Sequence, residues 1–300
     1  MKNKNLRNAR RNKNDEFYTL LPDIENELKW YKDHFKNKVV YCNCDDVDES
    51  NFVRFFEAKF EDYGLKKLIA TGYQEGTLTT QMYEKTSEHT KITTIHGNGS
   101  YSSPACLELL QETDIVVTNP PFSLFREYIT TLIEAKKEFL IIGNNNAITY
   151  KEVFPLIRNN KVWLGVSPRS MTFSLPDNSK VQVNACWFTN LNHHKRNSPI
   201  VLYKQYSPQE YPHYDNYNAI NVSKVKEIPM NYDGAMGVPI TFLDKYCPSQ
   251  FTIEDANEYV TSDSVPVKVH GLIKDNHSAI NGKPVYARIV IKHRELTNEN

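Results

Sequence analysis

The residues best suited to do chemistry are Asn119-Pro120-Pro121-Phe122. Asn119 carries a side-chain carbonyl. The peptide carbonyl of Pro120 stays out of helix and ladder, because neither proline donates an N–H and each holds the residue before it extended. Two fixed acceptors can take the two hydrogens of an exocyclic amine and hold its nitrogen lone pair towards an electrophile. Phe122 adds a flat face on which a planar base can stack. The set describes a site for an amino group on an aromatic or amide substrate. The plain alternative is a strand-to-helix turn with two prolines and a core phenylalanine.

The flanking chain must position these groups. Ile115, Val116 and Val117 form a β-branched run that predicts a buried strand of a parallel sheet, stopped by Asn-Pro-Pro. A helix is predicted from Ser123, with Leu124, Phe125, Tyr128, Ile129, Leu132 and Ile133 at helical spacing. Ligands of open α/β sheets sit beyond the carboxyl ends of strands, where Asn119 and Phe122 fall. Further strands are predicted at 39–42, 65–71 and 138–143, with a polar-turned hairpin and strand within 77–95 and a strand at 161–165. Residues 171–175 and 183–189 read as a closing antiparallel pair, and 285–292 as a final strand. One helix shows Ile24, Leu28, Tyr31 and Phe35 on one face after Pro22. Others carry Phe52, Phe55, Phe56 and Phe60, start at Ser103-Pro104, or span 153–157. This alternation predicts a doubly wound, mostly parallel sheet with an antiparallel edge. Phe173 and Trp187 could cover the second face of a base, although core packing is the commoner use of such residues.

The tetrapeptide resembles the catalytic motif of amino-group methyltransferases that use S-adenosylmethionine. Other phrases resemble the EcoRI-type adenine-specific DNA methyltransferase family: Asn14-Asp-Glu-Phe-Tyr-Thr19, Tyr41-Cys-Asn-Cys-Asp-Asp46, Ser50-Asn-Phe52 and Cys186-Trp-Phe-Thr-Asn190. The resemblance continues through Gly234-Ala-Met-Gly-Val-Pro-Ile-Thr-Phe-Leu-Asp244 to Tyr286-Ala-Arg-Ile289. It implies a Rossmann-like fold and transfer of a methyl group from S-adenosylmethionine to N6 of an adenine flipped out of duplex DNA. Asn119, Pro120, Pro121 and Phe122 then form the catalytic set. Phe17, Tyr18 and Thr19 correspond to an N-terminal motif contacting the methionine part of the cofactor. A helix cap, with Thr19 as the stop and Phe17 as a staple, is the other reading.

The loop after the first strand has no Gly-x-Gly. It is expected to hold the cofactor through Cys44, Asp45 and Asp46 and through the helix start at Ser50 and Asn51. The carboxylates suit a sulfonium and an ammonium and would repel a nucleotide phosphate. Asn98 stands where relatives generally have an aspartate that accepts from the cofactor's adenine amine, and Val47 where they often have proline. The usual ribose-binding acid is replaced by Thr71, Gly72 and Tyr73, with Glu75 beyond.

Thirty-six basic residues balance 36 acidic ones, so nucleic-acid contact must come from local patches. One patch is the stretch 1–14, with six Lys or Arg and no acid; it reads as a flexible phosphate-contacting arm or as a solvated tail. The other is His193, His194, Lys195 and Arg196. No apolar run reaches membrane-spanning length, and the N-terminus lacks an apolar signal core. The five cysteines, none in Cys-x-x-Cys spacing, suit reduced thiols in a cytoplasmic protein. Cys42 and Cys44 would need further ligands nearby to bind zinc, and methyl transfer to an amine calls for no metal.

The expected organisation is a basic arm at 1–14, a catalytic domain at 15–195 and a target-recognition or accessory region at 196–300. A structural extension completing the core is the alternative for the last. Duplex DNA and S-adenosylmethionine are the expected partners, with a cognate restriction endonuclease acting on the same site, or else an orphan or phage modification role. Rival functions are methylation of RNA adenine or of a protein glutamine, and nucleic-acid binding with weakened catalysis, suggested by Asn98 and the unusual loop.

Overall fold

The computed structural model describes residues 18–46, 48–175, 177–255, 272–273, 278–285 and 288–294. The basic arm, Phe17 and Val47 lie outside them. The chain divides into two units, one of Met1–Ala147 with Leu164–Asn192, the other of Ile148–Trp163 with His193–Asn300.

The first unit is built on strands β1 (Tyr18–Thr19), β2 (Val39–Cys42), β3 (Lys67–Thr71), β4 (Thr79–Lys85), β5 (Thr90–His96), β6 (Ile115–Thr118) and β7 (Glu138–Asn144). It continues with Leu164 of β8 (Trp163–Leu164), β9 (Met171–Ser174), β10 (Lys180–Val183) and β11 (Ala185–Thr189). Helices α1 (Leu21–Leu28), α2 (Asn51–Ala58), α3 (Pro104–Glu112) and α4 (Phe125–Glu134) connect them. The main sheet is ordered β5-β4-β3-β2-β6-β7-β11-β8. Its centre, β3-β2-β6-β7, is parallel. The β3–β4, β4–β5 and β7–β11 pairs are antiparallel, so the parallel core has the expected antiparallel edge and a second one opposite it.

Burial follows the β period of two on both faces. Val40 and Cys42 join the larger core with Phe35, Phe52, Phe56, Val117 and Ile142, while Val39 and Tyr41 pack with Ile69 on the other side. The helices start where the sequence signals them: the Ser50 hydroxyl caps α2 by accepting from the N–H groups of Phe52 and Val53, and Ser103 caps α3 ahead of Pro104. The apolar stripe of Ile24 and Leu28 runs on into 3-10 turns that bury Tyr31 and Phe35.

Two expectations change. The helix after the prolines begins at Phe125, not Ser123, because the Leu124 N–H turns back to the Pro121 carbonyl (2.9 Å) before the helix starts. Residues 171–175 and 183–189 are not a pair. β9 pairs with β10 and β1 in a separate three-stranded sheet, while β11 joins the main sheet beside β7. The switch occurs at Asn184: Val183 faces Met171, Ala185 faces Asn144, and the Asn184 carbonyl takes the Asn145 N–H.

In the second unit, α5 (Phe154–Arg158) precedes strands β12 (Ile220–Asn221), β13 (Met236–Pro239), β14 (Phe251–Ile253), β15 (Leu272–Ile273), β16 (Ala279–Ile280), β17 (Lys283–Pro284) and β18 (Arg288–His293). The expected final strand is the centre of this sheet: β18 pairs antiparallel with β13, β14 and β15, and β12 adds in parallel to β13. Tyr214, Tyr217, Ala219, Ala235 and Val290 form a core there.

Candidate functional site

β2 neighbours β3 on one side and β6 on the other, so the strand order reverses between β2 and β6. Such a switch point opens a crevice beyond the carboxyl ends of the two strands. The sequence runs from β2 into Asn43–Asp46 and from β6 into Asn119-Pro-Pro-Phe122. Both candidate loops therefore start at the same crevice.

Asp45 is buried and held from three directions. Its Oδ1 accepts from the Ser50 hydroxyl (2.7 Å), its Oδ2 from the Thr118 hydroxyl (2.5 Å), and its backbone N–H donates to the Thr71 carbonyl (3.1 Å). Burial pushes its carboxyl up to about 6; the Thr118 and Ser50 hydroxyls work against that rise, and neighbouring Asp46 adds to it. Asp46 is exposed, and its Oδ1 accepts from the Asp48 N–H (2.9 Å). Buried Asn43 accepts at Oδ1 from the Tyr128 hydroxyl of α4. Burial pushes the Cys44 thiol up, so it is a packed thiol and not a thiolate.

The N-terminal motif is tied to the same loop. The Asn51 side-chain amide donates to the Thr19 carbonyl (2.8 Å). Thr19 pairs with Phe173 and Tyr18 with Ser174. Phe173 packs edge-on against Phe122, with ring centroids 6.2 Å apart. The small sheet thus links the Tyr18-Thr19 strand to the ring of the tetrapeptide. Phe122 is 8% exposed and belongs to the larger core, and the Oδ1 of Asn119 is buried. Trp187 and Phe173 are core residues as well.

Asn98 sits between Gly97 and Gly99, both at positive φ. A Cβ on Gly99 would lie 2.0 Å from the Gly72 carbonyl oxygen, so the loops after β3 and β5 meet backbone to backbone. The Gln74 N–H donates to the Asn98 carbonyl (2.8 Å), and the Asn98 side-chain oxygen accepts from the Ser100 N–H (3.2 Å). Glycine's freedom, absent after β2, is used here. At the end of β3, Thr71 is fully buried and hydrogen-bonded to Tyr41 (2.7 Å), while Tyr73 is exposed.

The basic cluster belongs to the second unit, and its members differ. His193 is buried and accepts from the Arg196 N–H at Nδ1 (3.3 Å). The Arg196 guanidinium lies 3.6 Å over the Trp163 ring and donates to Asn160 (3.1 Å). His194 is exposed and Lys195 half-buried.

Sequence reasoning missed Thr118, Asn43 and Tyr128. A hydroxyl-bearing β-branched residue ending the strand directly before Asn119 was the available signal for Thr118. S-adenosylmethionine fits the residues present. The Thr19 hydroxyl oxygen is buried without a hydrogen-bond partner among the described residues, and the stretches 43–46 and 118–124 carry no Lys or Arg, with the Asp46 carboxylate exposed among them. That set accepts a cation carrying an α-amino group and refuses a phosphate.

A family model described as adenine-specific methyltransferase EcoRI matches residues 5–294. The chain is 44% identical to Type II methyltransferase M.EcoRI of Escherichia coli over 98% of both proteins. It is 39% identical to Type II methyltransferase M.MpnI of Mycoplasma pneumoniae, covering 96% of this chain and 97% of that one. It is also 39% identical to M.MgeORF184P of Mycoplasma genitalium, over 96% and 98%. No solved structure matches significantly.

Proposed function

The chain belongs to the EcoRI-type family of adenine-specific DNA methyltransferases, and we propose that Asn119 and the Pro120 carbonyl are the acceptors that hold the adenine amine for methylation. It is a site-specific DNA adenine-N6 methyltransferase that uses S-adenosylmethionine. The bound cofactor supplies the electrophilic methyl group. Everything else falls to the chain. The Asn119 carboxamide and the Pro120 carbonyl orient the amine lone pair, and most of their contribution is positioning. Phe122 meets the extruded base with the part of its ring that the core leaves uncovered. Thr19, Asp45, Ser50 and Asn51 shape the cofactor loop, and Asn98 meets the cofactor's adenine. No general-base histidine is required, since the amine sheds its proton after transfer.

The observation that carries this reading is the position of Asn119 directly after β6 at the reversal of strand order. Extruding the base costs a few kcal/mol, which contacts elsewhere must offset. The stretch 1–14 and the cluster around Lys195 serve that purpose on phosphates, and 196–300 reads the duplex sequence. A companion restriction endonuclease sharing the site and a cytoplasmic location complete the proposal. Among the described residues no helix is long and apolar enough to cross a membrane.

The test is transfer of a labelled methyl group by the full chain, followed by mapping of modified adenines by single-molecule sequencing. Label released by DNase from one short motif is expected, and Asn119→Ala should abolish it with DNA affinity nearly intact. Label released by RNase or protease instead would sink the reading, and so would cofactor binding without any transfer.

A further inference from the structure

We infer that Thr118 is a positioning residue of this reaction: its hydroxyl and the Asp45 carboxylate form a joint that holds the cofactor loop against the strand carrying Asn119. The inference rests on the methyltransferase reading and deepens it.

The joint lies at the reversal of strand order, between a loop residue and the last residue of β6, 73 positions apart in sequence. β2 and β6 pair in parallel, so their carboxyl ends emerge side by side, but sheet pairing stops there. The register runs only through Tyr41 and Val116. Beyond it, the hydrogen bond from Thr118 to Asp45 spans the gap. Thr118 is fully buried and Asp45 is 8% exposed, so water competes little for either group. Ser50 ties the same carboxylate to the start of α2, and the Asp45 N–H ties the loop to β3. The Thr118 bond alone of these three reaches the catalytic strand. The next residue is Asn119, whose backbone the joint therefore fixes relative to the loop.

The chemistry of the pair suits that task. A hydroxyl donating to a carboxylate makes a short bond roughly twice as strong as a neutral one. A valine at 118 would keep the volume and the β-branched preference for a strand, so the sheet does not require the oxygen. Nor does Asp45 act as a free anion for a ligand, since each of its oxygens already accepts a hydroxyl. Asp46, Cys42, Cys44 and Tyr128 also face this carboxylate. None of them carries a positive charge, so the two hydroxyls are what oppose its protonation.

The test uses the full chain as wild type, Thr118→Val, Thr118→Ser and Asp45→Asn. S-adenosylmethionine affinity is measured by calorimetry from about pH 5 to about pH 8, bracketing the Asp45 carboxyl at about 6, with single-turnover methyl transfer and thermal melts alongside. Thr118→Val should weaken cofactor binding about tenfold, the size of one charge-assisted hydrogen bond. It should also move the acid limb of binding to higher pH, because the group that opposed protonation of Asp45 is gone. Thr118→Ser restores the hydroxyl and should return both quantities towards wild type, while Asp45→Asn should bind weakly and lack the limb.

Thr118→Val that matches wild type in affinity and limb overturns the inference. So does Thr118→Ser that behaves like Thr118→Val, since the hydroxyl is then not what matters. If Thr118→Val loses its cooperative melt, Thr118→Ser and Asp45→Asn decide by the same criteria. Wild-type protein that binds no cofactor overturns the methyltransferase reading itself, a result distinct from any pattern among the variants.

Discussion

Position 122 asks one ring to do two things. Phe122 packs against Phe173 in the core, and it is also the flat face offered to a base. Substitutions separate the roles. Phe122→Ala empties a buried site and should cost about 3 kcal/mol of stability, visible as a lower Tm. Phe122→Leu keeps most of the apolar volume but no flat face, so it should melt near wild type while turnover drops by about tenfold, a modest share of base–aromatic stacking. Full activity in Phe122→Leu would assign the ring to packing alone. At position 98, the side-chain oxygen caps the Ser100 N–H, a bond that an aspartate would keep. Asn98→Asp should therefore tighten cofactor binding by about 1 kcal/mol, through a charged acceptor for the cofactor's adenine amine. Calorimetry showing an unchanged or weaker Kd would remove Asn98 from that contact.

Among the elements, the start of α2 and the glycine crossing are two joints that substitutions can probe. Ser50 both caps α2 and donates to Asp45. Ser50→Ala should cost about 1 kcal/mol for the cap, somewhat more for the Asp45 Oδ1 left without its donor, and cofactor affinity besides. A urea titration that shows no change in midpoint would mean that the cap contributes nothing. Gly99 combines a φ of +76° with a neighbour 2.0 Å from any added Cβ, whereas Gly76 has the same φ and open space around it. Gly99→Ala should thus be clearly more destabilising than Gly76→Ala, by roughly the 1–3 kcal/mol of an overpacked site. Equal midpoints for the two would mean that the loops after β3 and β5 can part without loss.

Over the whole molecule, two linkages can be read from outside. The Asp45 carboxyl rises from 3.8 to about 6 on folding. Between those pH values the folded state holds a proton that the unfolded state has released, so this group's stabilisation is present at the acid end and is lost as pH rises towards 6. The full swing is about 3 kcal/mol. Asp45→Asn should remove that component, flattening the difference in stability between pH 4 and 6 relative to wild type; parallel curves would contradict it. The second linkage is salt. His193 and Arg196 are built into their own unit by the cap and by the Trp163 stack. Arg196→Ala should therefore lower Tm, whereas Lys195→Ala should reduce the salt slope of DNA binding by about 1 with Tm unchanged. Cofactor affinity should not move in either variant.

What the sequence determined by itself was local and periodic. The β-branched run before Asn-Pro-Pro, the Ser50 and Ser103 caps, the parallel sheet with an antiparallel edge, and the motif phrases of the family were legible because each signal is carried by neighbours along the chain. The tertiary structure decided what depends on distant partners. The start of α4 at Phe125 follows from where the Pro121 carbonyl finds its donor. The passage of the chain from one sheet to another at Asn184 follows from which strands need an edge covered, and no alternation of side chains records that choice. Thr118 and Asp45 meet only because β2 and β6 become neighbours, an outcome of apolar burial summed over the whole core. Asp45 could be read as a carboxylate suited to a cation from its type alone. That both its oxygens would already be held by hydroxyls, and its acidity weakened by burial, required the fold.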